Sequence, residues 1–445
     1  MSNDIDHEIH LRVFKDRSEI HLNTNEYLSF VEGATSPKAK SRYKLILEAL
    51  ESGYLESMID LCISHPEQLE IESLNENQHS LIDEISSSVT SNYGRGIVGL
   101  AFLQLVIKAI TPTQSIRLHK SSTNNSKFSW VEGVSMRSLD KQYITPVLRK
   151  YDLLKLNADG FMMTRTLAEN YPYSRFYKAQ LQGARFAWLN LVEELEHPDS
   201  KMNALAGLQL LTSKLLNHAE KFEALTVSAI KANYCLIENH TLTIATVVIL
   251  MEKHRTESNY AARIMEVSMH SFMQALQDNQ QLDYTLKPLS QMRSANKKHG
   301  NIGDVELLNH RLIVESWDAK YGKTYLREEL NELEDKLSFH ESVEIAGFVT
   351  SDEPDMRHEI VTSIKDISEN FGITIKVLSF QNWIYFQLEK FGITEHADLS
   401  AISNAWLISY VETLSLKRRH LAPIDEPCQQ WLESWSDILT SYSER

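Results

Sequence analysis

The residues best placed to do chemistry form one constellation. Gly303-Asp304-Val305-Glu306 is followed, after 11 intervening residues, by Asp318-Ala319-Lys320. Both segments sit in short apolar runs that read as adjoining strands. Side chains alternate along a strand, so Asp318 and Lys320 share one face with Val314 and Ser316, while Glu315, Trp317 and Ala319 take the other. Asp304 opens the neighbouring strand, where its carboxylate can meet that of Asp318. Two convergent carboxylates make a hard oxygen site of the kind Mg²⁺ accepts while keeping several waters. A lysine beside them can orient or activate a water and offset charge in a phosphorane-like transition state. Glu306, two residues on from Asp304, stands as a supporting group or as a replacement ligand.

The elements that must position these residues read as α-β-β-α-β-α-β over residues 255–386. TESNYAARIMEVSMHSFMQALQ is an amphipathic helix, NIGDVELL and RLIVESWDAKYGK are strands, and YLREELNELEDKLS is a helix. VEIAGFVTS, DMRHEIVTSIKDISENFG and ITIKVLSF follow as strand, helix and strand. Strands alternating with helices of this length predict a mixed sheet with parallel crossovers in its second half.

GD…DAK in this setting resembles the PD-(D/E)xK nuclease superfamily, most closely the type II restriction endonucleases. The resemblance covers about 255–386 and leaves the rest of the chain unassigned. It implies a restriction-endonuclease-like α/β catalytic core. Asp304 matches the first metal-binding aspartate, Asp318 the second acidic ligand and Lys320 the catalytic lysine. Glu266, on the helix before the first motif strand, matches a further acid that such nucleases often carry. Gly303 stands where the name-giving proline would be. The resemblance further implies a homodimer acting on a palindromic duplex, with a cognate DNA methyltransferase encoded nearby.

A second region suggests contact with DNA. From 135 to 170 a helix, with Ser138 as candidate N-cap and running to Leu154, precedes strands at 154–157 and 161–167 joined through Asp159-Gly160. Asp-Gly is a hairpin signal because glycine tolerates positive φ. Helix followed by hairpin is the winged form of the helix-turn-helix, whose helix enters the major groove. Arg137, Gln142, Arg149 and Lys150 are its candidate contacts, with Arg165 on the wing. Residues Gln291, Arg293, Asn296, Lys297, Lys298 and His299 form a basic loop before the first motif strand. Arg reads guanine, Asn and Gln read adenine, and Lys and His meet phosphates. Lys323, just past the second motif strand, is a candidate phosphate contact.

The net charge of −15 at first argues against nucleic acid. Residues 111–190, however, carry 12 Lys+Arg against 5 Asp+Glu, or +7, leaving −22 elsewhere. With 15 Gly and 10 Pro in 445 residues, the chain has few punctuators and should be rich in helix. Three scattered cysteines exclude a disulfide framework or zinc ribbon and fit a reducing, cytoplasmic setting. No signal peptide and no 18-residue apolar run stand out, and no Walker, HExxH, GxSxG or dinucleotide motif is present, so no nucleotide cofactor is expected.

The expected organisation is an acidic all-helical region (1–110), a winged-helix-like region (111–190), a helical scaffold (191–254), the catalytic core (255–386) and a helical extension (387–445). The fold class is helix-rich α/β. The expected function is Mg²⁺-dependent, site-specific hydrolysis of phosphodiester bonds in double-stranded DNA. The alternatives are a non-catalytic winged-helix regulator and a nuclease subunit of a repair or phage-defence complex.

Overall fold

The computed structural model describes residues 9–22, 25–90, 94–120, 130–154, 160, 172–176, 183–197, 202–289, 300–415 and 427–444. The chain divides into two compact units, 1–221 and 222–445.

The first unit corrects the expectation of helix from the outset. Strands β1 (His10–Val13), β2 (Arg17–His21) and β3 (Tyr27–Val31) form an antiparallel sheet before any helix begins. Tyr27-Leu-Ser-Phe-Val has apolar residues at spacings that suit either a helix or a strand. Cross-strand pairing decides it: Ile20 and Phe30 are buried, while His10, His21 and Tyr27 stack across the three strands with centroids 5.0 and 5.2 Å apart. Helices α1 (Pro37–Glu51), α2 (Tyr54–Ser64) and α3 (Glu76–Ser87) follow. Helix α4 (Arg95–Ile110) is buried from Ile97 to Lys108, in keeping with its nearly unbroken apolar sequence.

The expected helix from Ser138 to Leu154 is also corrected. It is divided into α5 (Met136–Leu139), a π turn (Asp140–Ile144) and α6 (Thr145–Lys150). Ser135, not Ser138, stands at the N-cap. Pro146 lacks the N–H that a continuous helix needs, and the buried Asp140 carboxylate accepts a 2.5 Å bond from the Thr145 hydroxyl. The candidate wing lies outside the described residues except for Leu154, which is buried and not in a strand, and Gly160. Its φ of +95° has the positive sign that the Asp-Gly turn requires, and a Cβ there would lie 2.4 Å from Asp140 Oδ2. Helices α7 (Arg185–Glu196) and α8 (Ala204–Asn239) complete the order, and the unit boundary falls inside α8.

The second unit contains a five-stranded sheet in the order β4 (Thr285–Leu286), β5 (Val305–Asn309), β6 (Leu312–Lys320), β7 (Ile345–Thr350) and β8 (Thr374–Ser379). The first three strands are antiparallel neighbours, and β6-β7-β8 are parallel. Helices α9 (Ile244–Glu257) and α10 (Ala261–Asp278) precede it, α11 (Arg327–Leu337) and α12 (His358–Phe371) make its crossovers, and α13 (Phe380–Lys390), α14 (His396–Leu414) and α15 (Cys428–Ser443) follow. One face of the sheet is covered by Leu330, Leu333, Leu337, Ile360 and Ile367 of the crossover helices. On the other, the rings form an edge-on chain, Trp317 against Trp383, Trp383 against Phe272 and Phe272 against Trp406. Burial on both faces explains why β7 reads as a continuous apolar run. Among the described residues, no helix is long and apolar enough to cross a membrane.

Candidate active site

The β5–β6 hairpin turns through His310 and Arg311, whose φ values are both positive, at +46° and +80°. This conformation matches the twist of the flanking strands; beyond it a bulge between Leu307 and Leu308, with Val314 as the extra residue opposite, shifts the pairing by one and gives the register Val305↔Trp317 and Glu306↔Ser316. Asp304 therefore lies beside the end of β6 that carries Asp318. Its N–H donates to Trp317 O at 2.7 Å, and its Oδ2 accepts from the Ala319 N–H at 3.0 Å. Lys320 Nζ donates to Asp318 Oδ1 at 2.8 Å. Both side chains of that ion pair are largely buried.

The charges do not balance. Burial, followed by the nearby carboxylates of Glu266 and Asp318, pushes the Asp304 carboxyl well above its ordinary value of 3.8. The Ala319 N–H acts in the opposite direction and is outweighed. Burial acts to lower Lys320, but the Asp318 carboxylate, helped by Asp304 and Glu329, overrides it and raises the ammonium above its usual range. Glu266, on α10, is itself ion-paired with Arg263. The three acids and the lysine thus form one electrostatic group, with one cation of its own beside Asp304 and Asp318.

Two convergent carboxylates suit a hard divalent ion. Among the described residues no group of three or more His, Cys, Asp or Glu side chains is arranged to hold a metal. A cation would therefore rest on the two carboxylates and keep waters, which is the habit of Mg²⁺ rather than of a fully caged ion. The raised Asp304 carboxyl fits this donor set, because the Glu266 and Asp318 carboxylates that bear on it make a concentration of negative charge that a cation would offset.

Glu306 has a different role from that of a ligand. It is fully buried, and its Oε2 accepts from Lys287 Nζ at 2.6 Å. Its Oε1 accepts from the N–H groups of Ile302 at 2.6 Å and Gly303 at 3.3 Å. Lys287 also reaches Asn301 Oδ1 at 2.7 Å, and Lys336 donates to Ile302 O at 2.9 Å. The turn that delivers Asp304 is therefore clamped through its amides, one carbonyl and one side chain. Gly303 belongs to this clamp, since a Cβ there would lie 2.5 Å from Trp317 O. A proline at this position would lose the N–H donated to Glu306. Glu315, on the opposite face of β6, is buried against Trp317 Nε1 at 2.5 Å, Gln387 Nε2 at 2.6 Å and Lys390.

The other candidate residues are not gathered at this site. Gln291, Arg293, Asn296, Lys297, Lys298, His299 and Arg165 lie outside the described residues. Lys323 is ion-paired with Glu329. Arg137, Gln142, Arg149 and Lys150 belong to the first unit: Gln142 and Lys150 are exposed, and Arg137 and Arg149 are half-buried. Burial and the charge of Arg137 together lower His119 to about 4. Sequence reasoning missed Lys287, Asn301 and Lys336. None has a local signature, since their partners are 14 or more residues away.

No family model matches the chain, and no curated protein matches it either.

Proposed function

We propose that the protein is a Mg²⁺-dependent endodeoxyribonuclease of the PD-(D/E)xK kind, hydrolysing phosphodiester bonds in duplex DNA in the manner of type II restriction enzymes. The observation that supports this most directly is the convergence of Asp304, Asp318 and Lys320 at one end of the β5–β6 hairpin, with Asp304 buried beside the carboxylates of Asp318 and Glu266. Asp304 and Asp318 would hold the cation, and Glu266 adds negative potential from α10. Bound there, Mg²⁺ would supply Lewis-acid polarisation of a phosphate oxygen and a more acidic water. Lys320, fixed by Asp318, presents its ammonium to the attacking water or to the scissile phosphate, where it offsets developing charge. The Glu306–Lys287 clamp keeps Asp304 from drifting under repulsion from Asp318 and Glu266.

In this reading the first unit supplies DNA contacts through Arg137, Gln142, Arg149 and Lys150, and two copies act together on a duplex target. The test is cleavage of supercoiled plasmid with Mg²⁺, with and without the site residues. Asp318→Ala and Lys320→Ala should each abolish cutting while leaving the fold intact. Undiminished Mg²⁺-dependent cutting by either variant refutes the assignment. A chain that never cuts yet binds duplex DNA would be a regulator.

A further inference from the structure

Arg255 lies in the last turn of α9, following an apolar stretch that reads as scaffold. It is 7% exposed, and its Nε has no hydrogen-bond partner. No ion pair or hydrogen bond joins the guanidinium to a partner among the described residues. Its neighbours are instead two rings, Tyr321 and Phe380, each with its centroid 5.8 Å from Cζ.

The position of those rings relates Arg255 to the candidate site. Lys320, Thr350 and Ser379 are register partners and form one row across β6, β7 and β8. Tyr321 and Phe380 are the next residues after the first and last members of that row. Arg255 therefore stands at the same end of the sheet as Lys320.

A guanidinium cannot shed its charge inside a protein, and its forked donors match phosphate oxygens. Burying it without an anion is unfavourable. The C-terminal end of a helix and two ring faces offset part of that cost, but neither fills the donors. We propose that Arg255 anchors a phosphate group, supplied by the phosphodiester backbone of a nucleic acid lying across this end of the sheet. The phosphate site stands on Arg255 alone, and its nucleic-acid source rests on the nuclease reading.

The experiment has two arms, both on the full chain without divalent cation. In the first, thermal unfolding is followed as inorganic phosphate replaces chloride at constant ionic strength. The wild type should show a saturable rise of about 2–4 °C. Arg255→Gln should lose this rise while unfolding in chloride no lower than wild type, because an uncompensated charge has gone. Arg255→Lys should retain part of it. A wild type that does not respond, or whose rise is linear like a general exclusion effect, overturns the site. A saturable rise that persists in Arg255→Gln does the same, as does a Tm for that variant well below wild type in chloride, which would mark a purely structural cation between rings.

The second arm measures duplex binding against salt. The logarithmic slope should fall by about one in Arg255→Gln. If the phosphate arm holds and this slope is unchanged, the anion is free phosphate and the nucleic-acid source is overturned. If both arms hold but plasmid is never cut, the nuclease reading fails and the Arg255 site stands. Failure of Arg255→Gln to fold is the extreme of a lowered Tm in chloride and overturns the site in the same way.

Discussion

The buried pair Lys287–Glu306 offers the sharpest test of how the candidate site is held. The carboxylate is fully enclosed, the lysine side chain is 13% exposed, and they meet at 2.6 Å. Lys287→Met would leave Glu306 with only its two backbone donors and no counter-charge, at a cost of about 3 kcal/mol. Glu306→Gln would leave an ammonium that keeps Asn301 and some water, at a cost of about 2 kcal/mol. In the double variant no charge is stranded, and the amide oxygen can still accept from Ile302 and Gly303. Its cost should therefore be about 2 kcal/mol, giving a coupling of about 3 kcal/mol. Urea unfolding followed by tryptophan fluorescence is the assay, because Trp317, Trp383, Trp406, Trp431 and Trp435 all lie in the second unit. If the single effects simply add, the pair does not act as a unit and the clamp reasoning is wrong.

The remaining predictions concern the site itself. The Asp304 penalty is absent below pH 3.8, where its carboxyl is protonated folded and unfolded, grows as pH rises through its raised folded value, and is full above it. Asp304→Asn should therefore be more stable than wild type near pH ~8, with the Tm gap closing toward pH ~4; a gap that widens on acidification contradicts the assigned direction. Mg²⁺ should raise the Tm of wild type but not of Asp304→Asn; equal rises would place the cation elsewhere. Lys320→Met should reduce plasmid cutting by about 10²-fold or more, and cutting within threefold of wild type, about 0.7 kcal/mol of barrier, would remove the lysine from the mechanism. Gly303→Ala should cost about 2–3 kcal/mol, because the new methyl would meet the Trp317 carbonyl oxygen at 2.5 Å, and a neutral effect would show the turn to be pliable.

Much of the second unit was legible because its elements obey simple periods. The stripe of α10 and the apolar runs of β5 to β8 were expected within a few residues of where they form. Asp304, Asp318 and Lys320 could be juxtaposed from strand alternation and order alone. What failed had a physical cause in each case. Tyr27-Leu-Ser-Phe-Val satisfies two periods, and only its partners Arg17–His21 choose between them. The His310-Arg311 turn adopts positive φ without glycine and so gave no signal. Thr145-Pro146 was read through as helix although proline removes a donor there. The partner of Glu306 lies 19 residues earlier, across a strand pairing of which β4 contributes only two residues. Arg255 gives no signal in the sequence, because a charge at the end of an apolar helix usually reaches water.

The hairpin that carries Asp304, Asp318 and Lys320 also has a consequence for how the site is assembled. All three residues fall within a 17-residue stretch of chain, so bringing them together closes only a short loop. Hairpins form in about 1–10 μs, whereas the parallel pairing of β6 with β7 and β8 must wait for two helical crossovers. The two aspartates can therefore meet while water still screens them. The costly event is the later exclusion of that water, when α10 brings Glu266 against the pair. On these timescales assembly of the carboxylates is expected to precede their desolvation. A cation that enters between the two would bind a site already arranged, and could accelerate the docking that follows.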